Sequence, residues 1–161
     1  MILKFLDQNN LSYSKVEHPP VFTCEQAERL VPKQLGADTK NLFLRDGKGK
    51  QHFLLVVSSS KGVDLKALAD LISVKGLGLA SAERLKTYLG VEPGSVSLLA
   101  LINDKEGAVH LLVDQDLWNA EALLCHPLVN TATLSINKES IKKFLEMTNH
   151  APQILAIPER Q

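Results

Sequence analysis

Residues 41–58 constrain the fold more than any other stretch. Residues 41–45 (Asn-Leu-Phe-Leu-Arg) and 52–58 (His-Phe-Leu-Leu-Val-Val-Ser) are rich in aromatic and branched side chains, and Asp46-Gly47-Lys48-Gly49-Lys50 lies between them. Two such runs joined by a polar, glycine-bearing turn read as an antiparallel hairpin. The chain is therefore built on a sheet, and helices must pack around it.

The flanking segments supply those helices. Ile2, Leu3, Phe5 and Leu6 follow a helical repeat that stops at Gln8-Asn9-Asn10, and residues 11–16 alternate weakly before His18-Pro19-Pro20 imposes an extended turn. Thr23 and Gln26 have capping-box spacing, opening a helix over 24–31 that Pro32 ends. Asp64 caps a helix through Ile72, with Leu65, Leu68, Ala69, Leu71 and Ile72 as its apolar stripe. Residues 77–80 read as a short strand, and Ser81 opens a helix that Gly90 closes. The nearly continuous apolar run 96–103 reads as a central strand buried on both faces, turned by Asp104-Lys105-Glu106-Gly107 into a second hairpin with 108–113. A helix or turn over 116–120, a short strand ending at His126-Pro127, a strand over 132–136 and a helix capped by Asn137 follow. The tail from Ala151 is expected along the surface. The sum is a single α/β domain over 1–161, with a mixed, mostly antiparallel, curled and barrel-like sheet surrounded by helices.

Charge divides unevenly along the chain. Lys and Arg balance Asp and Glu at 18 each, but residues 33–86 hold ten basic against five acidic side chains, and 87–161 hold five against nine. A basic middle third can concentrate phosphate-binding charge on one face, or merely solvate helix and hairpin edges. The longest apolar run is far short of a membrane span, and the first ten residues do not form a secretory signal. Cys24 and Cys125 make no paired-cysteine motif, so a reduced, cytoplasmic thiol pair is expected rather than a zinc site or disulfide. Phosphate-binding glycine loops, nucleophile elbows and zinc-protease motifs are missing, and the five histidines are scattered. Neither metal nor organic cofactor is implied.

What remains is a set of polar residues at strand edges and turns. Lys40, ahead of the 41–45 strand, can present an ammonium to an anion or be an ordinary solvated lysine. Gly94 and Ser95 can let backbone N–H groups approach a ligand, or form a plain Pro-Gly turn. His126 can polarise a substrate or serve as a structural donor. Thr23 is most simply a cap and Cys125 a small core residue.

Taken together, HPPVFT (18–23), DTKNLFLRD (38–46), LGVEPGSVSLLALIND (89–104), HPLVNTATLSI (126–136) and FLEMTNHAP (144–152) resemble the YbaK/ProX-type prolyl-tRNA editing family, and within it the free-standing, PrdX-like, alanyl-tRNA(Pro) deacylase branch. The resemblance runs from about residue 11 to 155. It implies the editing-domain fold and hydrolysis of a mischarged aminoacyl ester, most simply alanyl-tRNA(Pro). It also implies Lys40 and His126 as catalytic residues, with Thr23, Asn41, Gly94, Ser95 and Asn130 contacting substrate. The tRNA acceptor stem is the implied partner, which the basic middle third would hold with Arg45, Lys75 and Arg84 as candidates, and prolyl-tRNA synthetase is a further candidate. Two positions depart from the family pattern and bear on amino-acid specificity: Leu98 stands in place of the proline of a GxxxP loop, and Cys125 in place of an aromatic residue. The competing readings are a non-catalytic aminoacyl-tRNA or amino-acid sensor and a deacylase for another mischarged residue.

Overall fold

The computed structural model describes residues 2–21 and 23–161, and for Cys24 the backbone alone. In chain order the elements are α1 (Ile2–Gln8), β1 (Tyr13–Glu17), α2 (Cys24–Leu30), β2 (Thr39–Arg45), β3 (His52–Ser58), α3 (Leu65–Leu71), β4 (Gly78–Leu79) and α4 (Ala82–Leu89). They continue through a 3₁₀ helix (Leu98–Asn103), β5 (Val109–Asp114), α5 (Gln115–Trp118), β6 (Ala122–Cys125), β7 (Ala132–Asn137), α6 (Lys138–Thr148) and β8 (Gln153–Leu155).

Helix boundaries follow the capping chemistry of the sequence. The side chains of Thr23, Asp64, Ser81 and Asn137 accept from the backbone N–H groups of Gln26, Ala67, Arg84 and Ser140. Gly90 ends α4 with φ 67°, a left-handed conformation that glycine adopts without steric cost.

Two separate sheets replace the expected single curled one. A five-stranded mixed sheet has the order β4-β2-β3-β5-β8, and a three-stranded antiparallel sheet has the order β1-β7-β6. Neither closes, so the barrel-like description is corrected. The 41–58 hairpin forms as expected, with Asn41 opposite Val56 and Arg45 opposite His52. The second hairpin does not. β5 lies parallel to β3, as a long crossover carrying α3, α4 and the 3₁₀ helix permits.

The run expected as a central strand is the 3₁₀ helix. Leucine and alanine dominate it, residues that favour helix over strand, and continuous hydrophobicity suits a buried helix as well as a buried strand. Ser97 decides the matter by accepting from Leu99 N–H at 3.1 Å. Asp104 then ends the helix: its two carboxylate oxygens accept from Ala108 and Val109 N–H at 3.0 and 2.9 Å, starting β5 directly. The tail is also corrected, since residues 153–155 add β8 in parallel to the edge of β5.

The five-stranded sheet is buried on both faces, because alternate residues point to opposite sides. Phe43, Leu54, Val56, Leu111 and Val113 join the larger core with the 3₁₀ helix, α6 and the three-stranded sheet. Leu44, Phe53, Leu55, Val57 and Leu112 pack instead with Leu68 of α3 and Ile157. In α3, Leu68 and Ala69 are buried, but Leu71 of the expected stripe is half exposed.

Candidate active site

The second sheet reaches the first through the segment that precedes β2. Ala37 N–H donates to Ala122 O at 2.9 Å and Leu124 N–H to Ala37 O at 3.0 Å. The Thr39 hydroxyl donates to Leu124 O at 2.7 Å. These bonds hold the end of β6, and therefore His126, beside the start of β2, where Lys40 and Asn41 sit.

The loop carrying Gly94 is joined to the same place. Ser97, fully buried, donates its hydroxyl to His126 O at 2.7 Å while capping the 3₁₀ helix. Upstream, Glu92-Pro93-Gly94-Ser95 is a type II turn: Gly94 has φ 93°, and Ser95 N–H donates to Glu92 O at 3.0 Å. The Ser95 N–H is thus spent on the turn rather than presented to a ligand. Ser97, which sequence reasoning did not single out, makes the connection to His126.

His126 is held in a defined protonation state. Its Nδ1 faces Ala132 O at 3.3 Å, and a carbonyl only accepts, so Nδ1 carries the proton and Nε2 the lone pair. Burial pushes its pKa down, and the neighbouring His18 adds to the effect against the opposing pull of Ala132 O. Neutral imidazole with an acceptor at Nε2 is the result. His18 is itself buried, with Nδ1 at 2.8 Å from Pro19 O and Nε2 at 2.8 Å from Thr133 Oγ1. The loop after His126 is strained: Leu128 has φ 65°, rare for a residue with a branched side chain. Asn130 reaches back to Val21 O at 3.4 Å.

Strand alternation separates Lys40 from Asn41. Asn41 shares the face of Phe43, toward the larger core, and its buried Oδ1 has no hydrogen-bond partner. Lys40 shares the face of Leu42 and Leu44, and its ammonium donates to Lys61 O. That carbonyl belongs to a braced segment: Lys61 Nζ lies 2.7 Å from the buried Asp114 carboxylate and donates to Ile157 O at 3.0 Å. One of the three ammonium donors of Lys40 is therefore engaged on the side opposite Asn41.

A groove of about 530 Å³ opens beside this junction, lined by His18, Pro127, Val129, Thr131 and Ala132 with Lys15, Glu17, Ile2 and Leu3. Lys40, Gly94 and His126 do not line it, and the ammonium of Lys40, bonded to Lys61 O, lies on the face of β2 opposite Asn41. Thr23 serves as the cap of α2. Cys125 is buried, its thiol pushed up to about 12 by desolvation, which leaves it inert as a nucleophile. Phe22, within the HPPVFT stretch, and the side chain of Cys24 lie outside the described residues. Among the described residues, no three His, Cys, Asp or Glu side chains cluster as metal ligands.

Arg45, Lys75 and Arg84 do come together, at the other end of β2. Arg84 donates to Gly49 O and to His52 Nε2, each at 3.0 Å. Gly47 N–H donates to Lys75 O at 2.8 Å, so the hairpin turn packs on the loop before β4.

The model of the aminoacyl-tRNA editing domain matches residues 18–144, a span that contains Lys40, Asn41, Gly94, Ser97 and His126. The chain belongs to the aminoacyl-tRNA editing domain family. That family comprises aminoacyl-tRNA deacylases. The prolyl-tRNA editing protein ProX of Acetoanaerobium sticklandii is 35% identical over 145 residues, covering 90% of this chain and 88% of that protein. A prolyl-tRNA synthetase associated domain-containing protein 1 of Danio rerio is 36% identical over 155 residues, covering 95% and 84%. Among solved structures, one described as a candidate trans-editing enzyme for prolyl-tRNA synthetase superposes with a TM-score of 0.70 at 21% identity, covering 99% of this chain and 93% of that one. At that identity the likeness concerns the fold. For this editing-domain chain the fold is thus a shared one, and no helix is long and apolar enough to cross a membrane among the described residues.

Proposed function

We propose that this editing-domain protein acts in trans, hydrolysing the ester between a mischarged amino acid, alanine first, and the 3′ end of tRNA(Pro). The observation that carries the reading is the pairing of a neutral His126, lone pair on Nε2, with the loop that Ser97 ties to it. An ester to a ribose hydroxyl is already activated, so water suffices as the nucleophile. His126 Nε2 accepts a hydrogen bond from that water or from the neighbouring ribose hydroxyl. The water oxygen bonds to the acyl carbon, the carbonyl oxygen takes the negative charge, and the ribose oxygen leaves with a proton.

Lys40 supplies positive charge to the terminal phosphate or the developing oxyanion, after its ammonium turns from Lys61 O. Removing one such donor lowers rates by about 10²–10³. The unpartnered Asn41 Oδ1 is an acceptor suited to the α-ammonium of the substrate. In this reading the acyl group is held beside His126 in a space sized for alanine, which excludes proline by shape; direct binding alone discriminates poorly, by about 10–200-fold for one methylene. Thr23 and Asn130 contact the substrate, and the acceptor stem lies at the far end of β2, where Arg45, Lys75 and Arg84 sit.

The test measures deacylation of alanyl-tRNA(Pro) and prolyl-tRNA(Pro) by the native protein and by Lys40→Ala. Selective loss of the alanyl ester, reduced at least 100-fold in the variant, is expected. Equal loss of both esters, or loss of neither, overturns the proposal. Saturable binding of charged tRNA without cleavage would identify a sensor instead, and a panel of other mischarged tRNAs would reveal a different acyl group.

A further inference from the structure

The β2–β3 turn is cationic, and it is built rather than merely charged. Arg45, Lys48 and Lys50 lie within seven residues (45–51) that hold one acid, Asp46. Asp46 folds back onto its own turn, its Oδ1 accepting from Lys50 and Gln51 N–H at 2.7 and 3.1 Å. From below, the turn is fixed by Arg84, which bonds Gly49 O and His52 Nε2. His52, 1% exposed, packs in a ring cluster with Phe43 and Tyr88, at centroid distances of 5.6 and 4.0 Å. From the side it meets the 75–76 loop so closely that a Cβ on Gly76 would lie 2.8 Å from Gly47 Cα. Lys48, Lys50 and Lys75 are left exposed on this rigid base, while Arg45 and Arg84 are half-buried.

We infer that this turn is a preassembled ledge for a nucleic-acid backbone, with Lys48, Lys50 and Lys75 contacting phosphates and Arg84 acting through the turn it fixes. The inference rests on the proposed function for the identity of the strand, and deepens it by giving the ledge a place on that strand. Lys40 and Arg45 are the second and last residues of β2, about 17 Å apart at ~3.4 Å per residue. Successive phosphates of a stacked strand lie only a few ångströms apart along its axis. The ledge therefore meets phosphates several steps inward from an acyl group held near Lys40, beyond the terminal nucleotide. Lysine suits this role, since ammonium groups recognise phosphate as point charges without reading bases.

The decisive experiment compares the native protein with Lys48→Ala/Lys50→Ala/Lys75→Ala by fluorescence anisotropy with uncharged tRNA(Pro) across a salt series. The variant is expected to bind at least tenfold more weakly near 0.15 M salt, with a log–log salt slope shallower by about two to three. A second arm measures kcat/KM on alanyl-tRNA(Pro) and on alanyl-adenosine, which carries the ester without the inner phosphates. The ratio of the two is expected to fall about tenfold in the variant. Unchanged tRNA affinity and slope would overturn the ledge, and so would an affinity loss for prolyl-tRNA synthetase in place of tRNA. If the native protein cleaves neither ester, the proposed reaction fails, while the binding arm still decides the ledge. Arg84→Lys separates positioning from contact: it keeps the charge but loses the planar fork, so weakened binding with an unchanged salt slope is expected. A slope shallower by one would make Arg84 a direct phosphate contact and overturn its positioning role.

Discussion

His126 and His52 are both held neutral by burial, His52 with the guanidinium of Arg84 as the next contribution. A histidine whose folded pKa lies below its unfolded value of about 6.5 binds fewer protons folded than unfolded between those two values. Stability supplied by such a group is complete above pH 6.5 and is lost as pH falls toward the folded pKa. The urea midpoint should therefore decline between pH 7 and pH 5, and His52→Phe should flatten that decline. If His126 acts as an acceptor through Nε2, kcat/KM for ester cleavage should persist below pH 6.5 before an acid limb appears. A limb at or above the ordinary histidine value would remove His126 from that role. The strain at Leu128 makes a separate prediction. Leu128→Gly relieves a positive φ at a cost in packing, so it should change thermal stability little while lowering activity by loosening the loop beside His126.

At the scale of elements, the 3₁₀ helix links His126 to the core. Its leucines 98, 99 and 101 are at most 1% exposed, each contributing about 1.5–3 kcal/mol by burial. Ser97 transmits that rigidity to His126. Ser97→Ala removes a cap and the donor to the part-buried His126 carbonyl, which should cost about 1–3 kcal/mol in chemical denaturation and lower kcat more than KM. Ser97→Thr retains the hydroxyl and should recover part of both. The hairpin turn depends in the same way on close backbone approach. A methyl group on Gly76 meets backbone atoms of Gly47 and requires φ 71° of a non-glycine residue. Gly76→Ala should therefore separate turn from loop and weaken tRNA binding together with stability.

For the molecule as a whole, the Lys61–Asp114 pair closes the structure. Asp114 ends β5, and Lys61 joins it to Ile157, while Arg160 N–H donates to Gly62 O at 2.7 Å. Truncating one partner leaves a charge buried without compensation, for which about 3–5 kcal/mol is typical. Asp114→Ala should show a loss of that size in denaturant titrations and should also lower activity, because the carbonyl that engages Lys40 belongs to Lys61. Removing residues 151–161 uncovers the edge of β5 that β8 pairs, and self-association detectable by light scattering is the expected consequence.

Local chemistry in the sequence determined much of this protein: the 41–58 hairpin through its turn glycines, and four helix starts through Thr23, Asp64, Ser81 and Asn137. The family resemblance was legible for the same reason, since its motifs lie on those elements. Periodicity could not decide the 98–103 run, because uniform hydrophobicity fits any fully buried element. Nor could it assign partners to β5 and β8, whose parallel pairing depends on distant crossovers. Only tertiary structure brought Ser97 to His126 and turned the ammonium of Lys40 to the face opposite Asn41. Those contacts join residues far apart in the chain, and their geometry is set by how two sheets share one core.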